Sequence, residues 1–229
     1  MVLELADNRD PRSWASRLRQ RRIALFERLI APLGDPVRVL DVGGAPGFWR
    51  GYRQGGGRRL RVTLLNLERD PEGEDFEQVV ADARDLGRFA DKSFDACFSN
   101  SLIEHVGTFF DQQKVAAEIG RLAPIYFVQT PNRAFPLEAH FLMPGFQYLP
   151  VTVRTMLHRR FRMGWVERQP DPILARAEIE QLRLLSHAEL ARLFPDARIL
   201  RETIGPLTKS LIAVRAPDLE TVLPADGRL

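Results

Sequence analysis

Residues 39–50 read VLDVGGAPGFWR, Val39 to Arg50, and the reading of the fold turns on that stretch. An apolar run closes on Asp41 and falls directly into Gly43, Gly44, Ala45, Pro46 and Gly47. A continuous apolar strand that ends in a glycine loop and passes into a helix is the opening unit of a parallel α/β sheet. In such sheets ligands gather beyond the carboxyl ends of the strands, where the strand order reverses. Glycines at that place let the backbone approach a ligand, and Asp41 is placed to orient the loop amides or to accept from the ligand.

Working outward from the loop, apolar runs predict strands over 37–42, 62–67, 78–81, 94–99 and 125–129, with two more at 197–202 and 210–214. A helix is predicted over about 12–31, where Leu18, Leu25, Phe26, Leu29 and Ile30 share one face and arginines occupy the others. A second runs over 111–122, with Val115, Ile119 and Leu122 on one side. "SHAEL" opens a third, with Ser186 capping and Glu189 completing the capping box. The expected fold is therefore α/β: a Rossmann-like, seven-stranded, mostly parallel sheet with helices on both faces. The last two strands, joined across "TIGPLTK", suit an antiparallel hairpin.

From Thr130 the texture changes to "TPNRAFPLEAHFLMPGFQYLP", rich in proline and aromatics, followed by the basic stretch "VTVRTMLHRRFRMGW". Residues 131–180 are expected to form a lid or substrate insert after strand 5, within one domain spanning 1–229. The 229 residues, 45% hydrophobic and 28% charged, are those of a soluble globular domain with room for a sizeable core. A net charge of +3 permits an anionic substrate or a membrane surface but does not point to nucleic acid. The single Cys97 excludes a disulfide framework. The acidic start "MVLELADNRD" has no apolar leader core, and no window reaches ~18 apolar residues, so a cytoplasmic location is expected.

Three cofactor classes compete for the loop. A triphosphate P-loop needs a lysine that does not follow here. A dinucleotide fingerprint G-x-G-x-x-G meets Gly43, Ala45 and Phe48, so its third glycine is missing, and the loop contains Pro46. S-adenosylmethionine remains, beside a plain Gly/Pro turn that binds nothing. Farther along, Asn66 and Glu68 close the second strand, and alternation puts them on one side, with Glu68 placed to take the ribose hydroxyls. Asp82 can accept from the adenine amino group, with Ala83 beside the ring. The fourth strand ends in Ser99, Asn100 and Ser101 and leads to Glu104 and His105, an unusual set for a purely structural loop.

On these motifs the chain resembles the class I S-adenosylmethionine-dependent methyltransferases, from "VLDVGGAPG" through "ADARDL", "SFDACFSNSLIEHV" and "YFVQTPNRAFP" to "TKSLIAVR". It is most similar to bacterial small-molecule members whose fourth strand is followed by Glu-His and whose fifth runs into Thr-Pro-Asn. The resemblance implies that Asp41, Gly43, Gly44, Ala45 and Gly47 wrap the methionine end of the cofactor. It also implies ribose contacts from Glu68 or Asn66, adenine contacts from Asp82 and Ala83, and a contact from Asn100. Ala45 stands where the family has a middle glycine, which is tolerable at negative φ.

Methyl transfer is an in-line displacement served by positioning, and an oxygen or nitrogen nucleophile can also need a base. Of the four histidines, His105 lies near the expected methyl position, and His140 stands two residues after Glu138, which can orient it. His158 and His187 read as surface residues. No spacing enforces a metal-ligand cluster, so no metal is expected. The expected partner is a small acceptor, bulky and apolar or glycosylated, held by the aromatics and arginines of the insert; contact with anionic lipid is a further option. Two alternatives stand beside this reading. "DVGGAPGFW" also resembles the loop of an RNA 2′-O-methyltransferase, but Lys92, Lys114 and Lys209 do not fit its lysine-rich catalytic set and no RNA-binding patch appears. The other is a non-catalytic S-adenosylmethionine-binding protein.

Overall fold

The sheet is assembled around the strand that leads into the glycine loop. β1 (Val37–Val42) pairs in parallel with β2 (Leu60–Asn66) on one side and with β4 (Ala96–Asn100) on the other. β3 (Glu77–Val80) extends the first side and β5 (Ile125–Pro131) the second. β6 (Arg198–Ile204) and β7 (Leu207–Arg215) form the expected hairpin, and β7 runs antiparallel to β5. The order β3-β2-β1-β4-β5-β7-β6 reverses between β1 and β4, the place where the glycine loop emerges. This computed structural model describes residues 13–217, 219–223 and 227–229. The stretch "MVLELADNRD" and the first residue of the predicted opening helix lie outside them.

Helices cover both faces because the central strands are apolar on both sides. On one face α1 (Trp14–Ile30) and α2 (Pro46–Gln54) bury Leu25, Phe26, Leu29, Ile30 and Trp49 against Val39, Leu64, Phe98 and Phe127. On the other, α3 (Phe109–Leu122) and α6 (His187–Leu193) bury Val115, Ile119, Leu122, Leu190 and Leu193 against Leu40, Cys97, Tyr126 and Val128. Thr108 and Ser186 each close a capping box at the starts of α3 and α6. β1 falls where it was read, and the other strands differ at one or both edges by one to three residues; β2 stops at Asn66, so Leu67 and Glu68 lie in a bend beyond it.

The segment after β5 contains two helices, α4 (Val151–Arg160) and α5 (Pro172–Gln181), around a small cluster of its own made by Phe141, Phe146 and Ile179. Its aromatics divide: Phe141 and Phe146 are buried, whereas Tyr148, Phe161 and Trp165 face outward. His158 departs from the surface position expected of it. It is fully buried, in edge contact with Phe141, and its Nε2 lies 2.6 Å from Glu178 Oε2. A basic local sequence hid an inward-facing turn of α4. His187 is exposed, as read. No helix among the described residues is long and apolar enough to cross a membrane.

Candidate functional site

The loop between β1 and α2 is shaped by its own glycines. Gly43 has φ +80°, and a Cβ there would come within 2.8 Å of the Leu102 side chain. Gly44 sits directly over the Asp41 carboxylate, where a Cβ would collide with it. Ala45 adopts φ −108°, so its side chain is accommodated. A Cβ on Gly47 would meet nothing within 4 Å, and no side chain caps the first turn of α2. An open, uncapped helix start beside a tightly packed glycine pair leaves backbone amides free to meet a ligand.

Asp41, expected to orient the loop amides or to accept from the ligand, is engaged by a side chain of α2. It is buried and accepts a hydrogen bond from the Trp49 indole Nε1 at 2.6 Å. Burial pushes its carboxyl up to about 7, with the indole pulling the other way. The strand end leaves the carboxylate beneath the loop rather than above it, so Asp41 supports the loop from below through Trp49 of α2.

The strand ends carry the remaining candidates. Asn66 Nδ2 donates to the Gly44 carbonyl at 2.9 Å and so ties β2 to the loop. Glu68 is exposed beyond the strand, and the alternation that paired it with Asn66 does not reach it. Asp82 accepts from the Arg84 guanidinium at 2.6 Å and from the Arg84 amide at 2.9 Å, which hold its carboxyl below the usual range. Ala83 is buried beside it. Asn100 Oδ1 accepts from Arg22 Nη1 at 2.9 Å. Arg22 is the residue the sequence reading missed. It was placed among the outward arginines of α1, yet it is only 8% exposed and also bonds Glu202 (2.7 Å) and Gln129 (3.0 Å). Nothing in the α1 pattern marks it, because its partners come from β4, β5 and β6.

The histidines meet. Ile103–His105 form one 3₁₀ turn after β4, and Leu102 packs that turn against Gly43. The Arg183 amide donates to the Glu104 carbonyl at 2.8 Å, and Gln112 donates to the Ile103 and Arg183 carbonyls. The turn is thereby clamped between α3 and the end of the insert. His140 enters from the insert, its Nε2 3.1 Å from His105 Nε2. Glu138, buried, lies with Oε1 2.8 Å from His140 Nδ1 and also accepts from the His140 and Phe141 amides. Burial alone would lower the His140 imidazole, but the Glu138 carboxylate outweighs it and raises it above its ordinary value. Desolvation and the neighbouring His140 bring His105 down to about 4. The expectation that nothing assembles a cluster of acids and histidines rested on chain spacing. The fold brings Glu104, His105 and His140 together, with one ligand atom of each within 4.8 Å of the others.

Known proteins bear on this arrangement. Residues 58–123 match the family model described as a methyltransferase domain. The uncharacterized protein Rv1509 of Mycobacterium tuberculosis is 33% identical over 70 residues, which are 31% of this chain and 24% of that protein. The chain thus matches only about a quarter of that relative. The PH0226 protein of Pyrococcus horikoshii aligns over 91% of this chain and 94% of its own at 17% identity and a TM-score of 0.52. The Haemonchus contortus phosphoethanolamine N-methyltransferase 2, solved with S-adenosyl-L-methionine, aligns over 86% of this chain and 41% of its own, at 17% identity and a TM-score of 0.51. At such identities the structural likeness speaks to the fold alone. Residues 58–123 are thus similar to a methyltransferase domain, and they lie within a sheet whose fold these solved structures share.

Proposed function

We propose that this chain moves a methyl group from S-adenosylmethionine to an oxygen or nitrogen atom of a small acceptor, bulky and apolar or glycosylated. One observation carries the reading: the Glu138–His140–His105 series ends on the turn that packs against the glycine loop. The cofactor supplies an electrophilic methyl on a sulfonium, so what the protein adds is placement and proton handling. Gly43, Gly44, Ala45 and Gly47 would hold its methionine end, with Asp41 supporting the loop. Glu68, with Asn66 behind it, would hold the ribose; Asp82 and Ala83 the adenine; and Asn100 would line the β4 end of the site.

Glu138 keeps a proton on His140 Nδ1, which leaves the Nε2 lone pair for the acceptor's proton. His105, held neutral, orients the acceptor on the same edge. Calorimetry with S-adenosylmethionine tests the first half: no heat and no thermal shift would leave neither the enzyme nor a non-catalytic binder. Transfer of labelled methyl tests the second. His140→Ala is expected to abolish turnover with cofactor affinity intact, and equal turnover in that variant would remove His140 from the mechanism.

A further inference from the structure

The Glu104 side chain is wholly buried, yet only one of its carboxylate oxygens is used. Oε2 accepts from Thr130 Oγ1 at 2.9 Å, while Oε1 has no hydrogen-bond partner. An orphaned carboxylate oxygen inside a protein costs free energy and calls for an explanation. Beside it two imidazoles converge at right angles, ring centres 4.8 Å apart, with their Nε2 atoms 3.1 Å from each other. Two ring nitrogens this close, with a Glu104 carboxylate oxygen within 4.8 Å of both imidazoles' ligand atoms, form a ligand set as well as a hydrogen bond.

We propose that Glu104, His105 and His140 bind one divalent transition ion of the zinc class. Three protein ligands with a fourth position left open are the arrangement of ions that handle a substrate. The donor set of two imidazoles and one carboxylate suits zinc-like ions; magnesium and calcium prefer oxygen throughout. The surrounding contacts are those that orient ligands: Glu138 on His140 Nδ1, and Thr130 on the second Glu104 oxygen. On binding, the proton between the two Nε2 atoms moves off His105 Nε2 as His105 takes its Nδ1–H tautomer, so both imidazoles ligate in the neutral form.

For the acceptor, the inference deepens the methyl-transfer reading and rests on it; ion binding does not. The open position takes an oxygen acceptor. In the ion-loaded chain His140 serves as a ligand in place of the base role given it above: with both Nε2 lone pairs on the ion, the bound acceptor hydroxyl is acidified by the ion and loses its proton to water. A new O–CH3 bond forms as the S–CH3 bond of the sulfonium breaks, leaving a thioether.

The test is metal content, read without turnover. Untagged chain is stripped with a chelator, dialysed against zinc or cobalt ions, and its metal counted. One equivalent per chain is expected, with the visible absorption of four-coordinate cobalt. His105→Ala, Glu104→Gln and Glu138→Gln should each weaken binding by about tenfold or more, while His187→Ala leaves it unchanged. If Glu104→Gln fails to fold, His105→Ala decides, since His105 is exposed. Substoichiometric metal, binding undiminished in His105→Ala, or a preference for magnesium would overturn the site. Full turnover in the stripped chain overturns the ion's part in the reaction and leaves methyl transfer standing. Stoichiometric ion binding by a chain that transfers no methyl supports the site and removes methyl transfer.

Discussion

The loop depends on two residues that cannot be exchanged and two that can. Gly43 combines a positive φ with a side chain of Leu102 where its own Cβ would go. Gly43→Ala should therefore destabilise the chain by about 1–3 kcal/mol and weaken S-adenosylmethionine binding, whereas Gly47→Ala should leave stability nearly unchanged. Urea unfolding and calorimetry on the two variants check this. Beneath the loop, Asp41 has a carboxyl raised to about 7. A raised folded value means that the neutral form stabilises: the contribution is complete below the unfolded value near 4 and is lost as pH climbs through about 7. Asp41→Asn should gain on the parent by a kcal/mol or more between those limits, measured as the difference in unfolding free energy across pH. Equal pH slopes in parent and variant would show that Asp41 ionises freely in the folded chain. Gly43 was legible from the sequence because φ preference is local; the burial of Asp41 under Gly44 was not, because it depends on where α2 places Trp49.

At the scale of elements, α1 is tied to the sheet by more than its apolar face. Arg22 reaches across the carboxyl ends of β4 and β5 to the buried Glu202 of β6, joining segments far apart in the chain. Removing one member leaves the other as an uncompensated buried charge. Arg22→Ala should cost about 3–5 kcal/mol, and Arg22→Met combined with Glu202→Leu should restore most of it. A double-mutant cycle by urea denaturation reads both. The apolar stripe of α1 was plain in its period, yet a helical wheel assigns every arginine to solvent by default. Only a partner from another strand turns one of them inward. The same logic applies to His158 of α4, whose basic neighbours suggest a surface and whose Glu178 partner lies on α5.

For the whole molecule, the insert and the sheet meet at a narrow neck. Asn132 and Leu185 form a bridge, and the Arg133 amide donates to the Leu185 carbonyl, so the insert leaves and returns at nearly one point. Its apolar residues form a separate small cluster. Replacing residues 134–182 by a short glycine linker should leave a chain that unfolds cooperatively and binds S-adenosylmethionine but transfers no methyl. Thermal unfolding and calorimetry would show it, and loss of cofactor binding would instead make the insert part of the cofactor site.

The strands, the closing hairpin and the glycine loop were readable along the chain because each follows from local physics, whereas the strand order came from the folded sheet. Apolar runs set which segments form strands, helical period sets which face is buried, and glycine stereochemistry sets where the backbone turns. The candidate site was readable only as fragments. Glu104 and His105 stand in one turn and Glu138 and His140 in another, and no periodicity relates the two. Their meeting, the orphaned oxygen of Glu104 and the inward turn of Arg22 come from the packing of the insert and α1 over the strand ends. That packing brings side chains distant along the chain within a hydrogen bond of each other, a relation that exists only after the chain has folded.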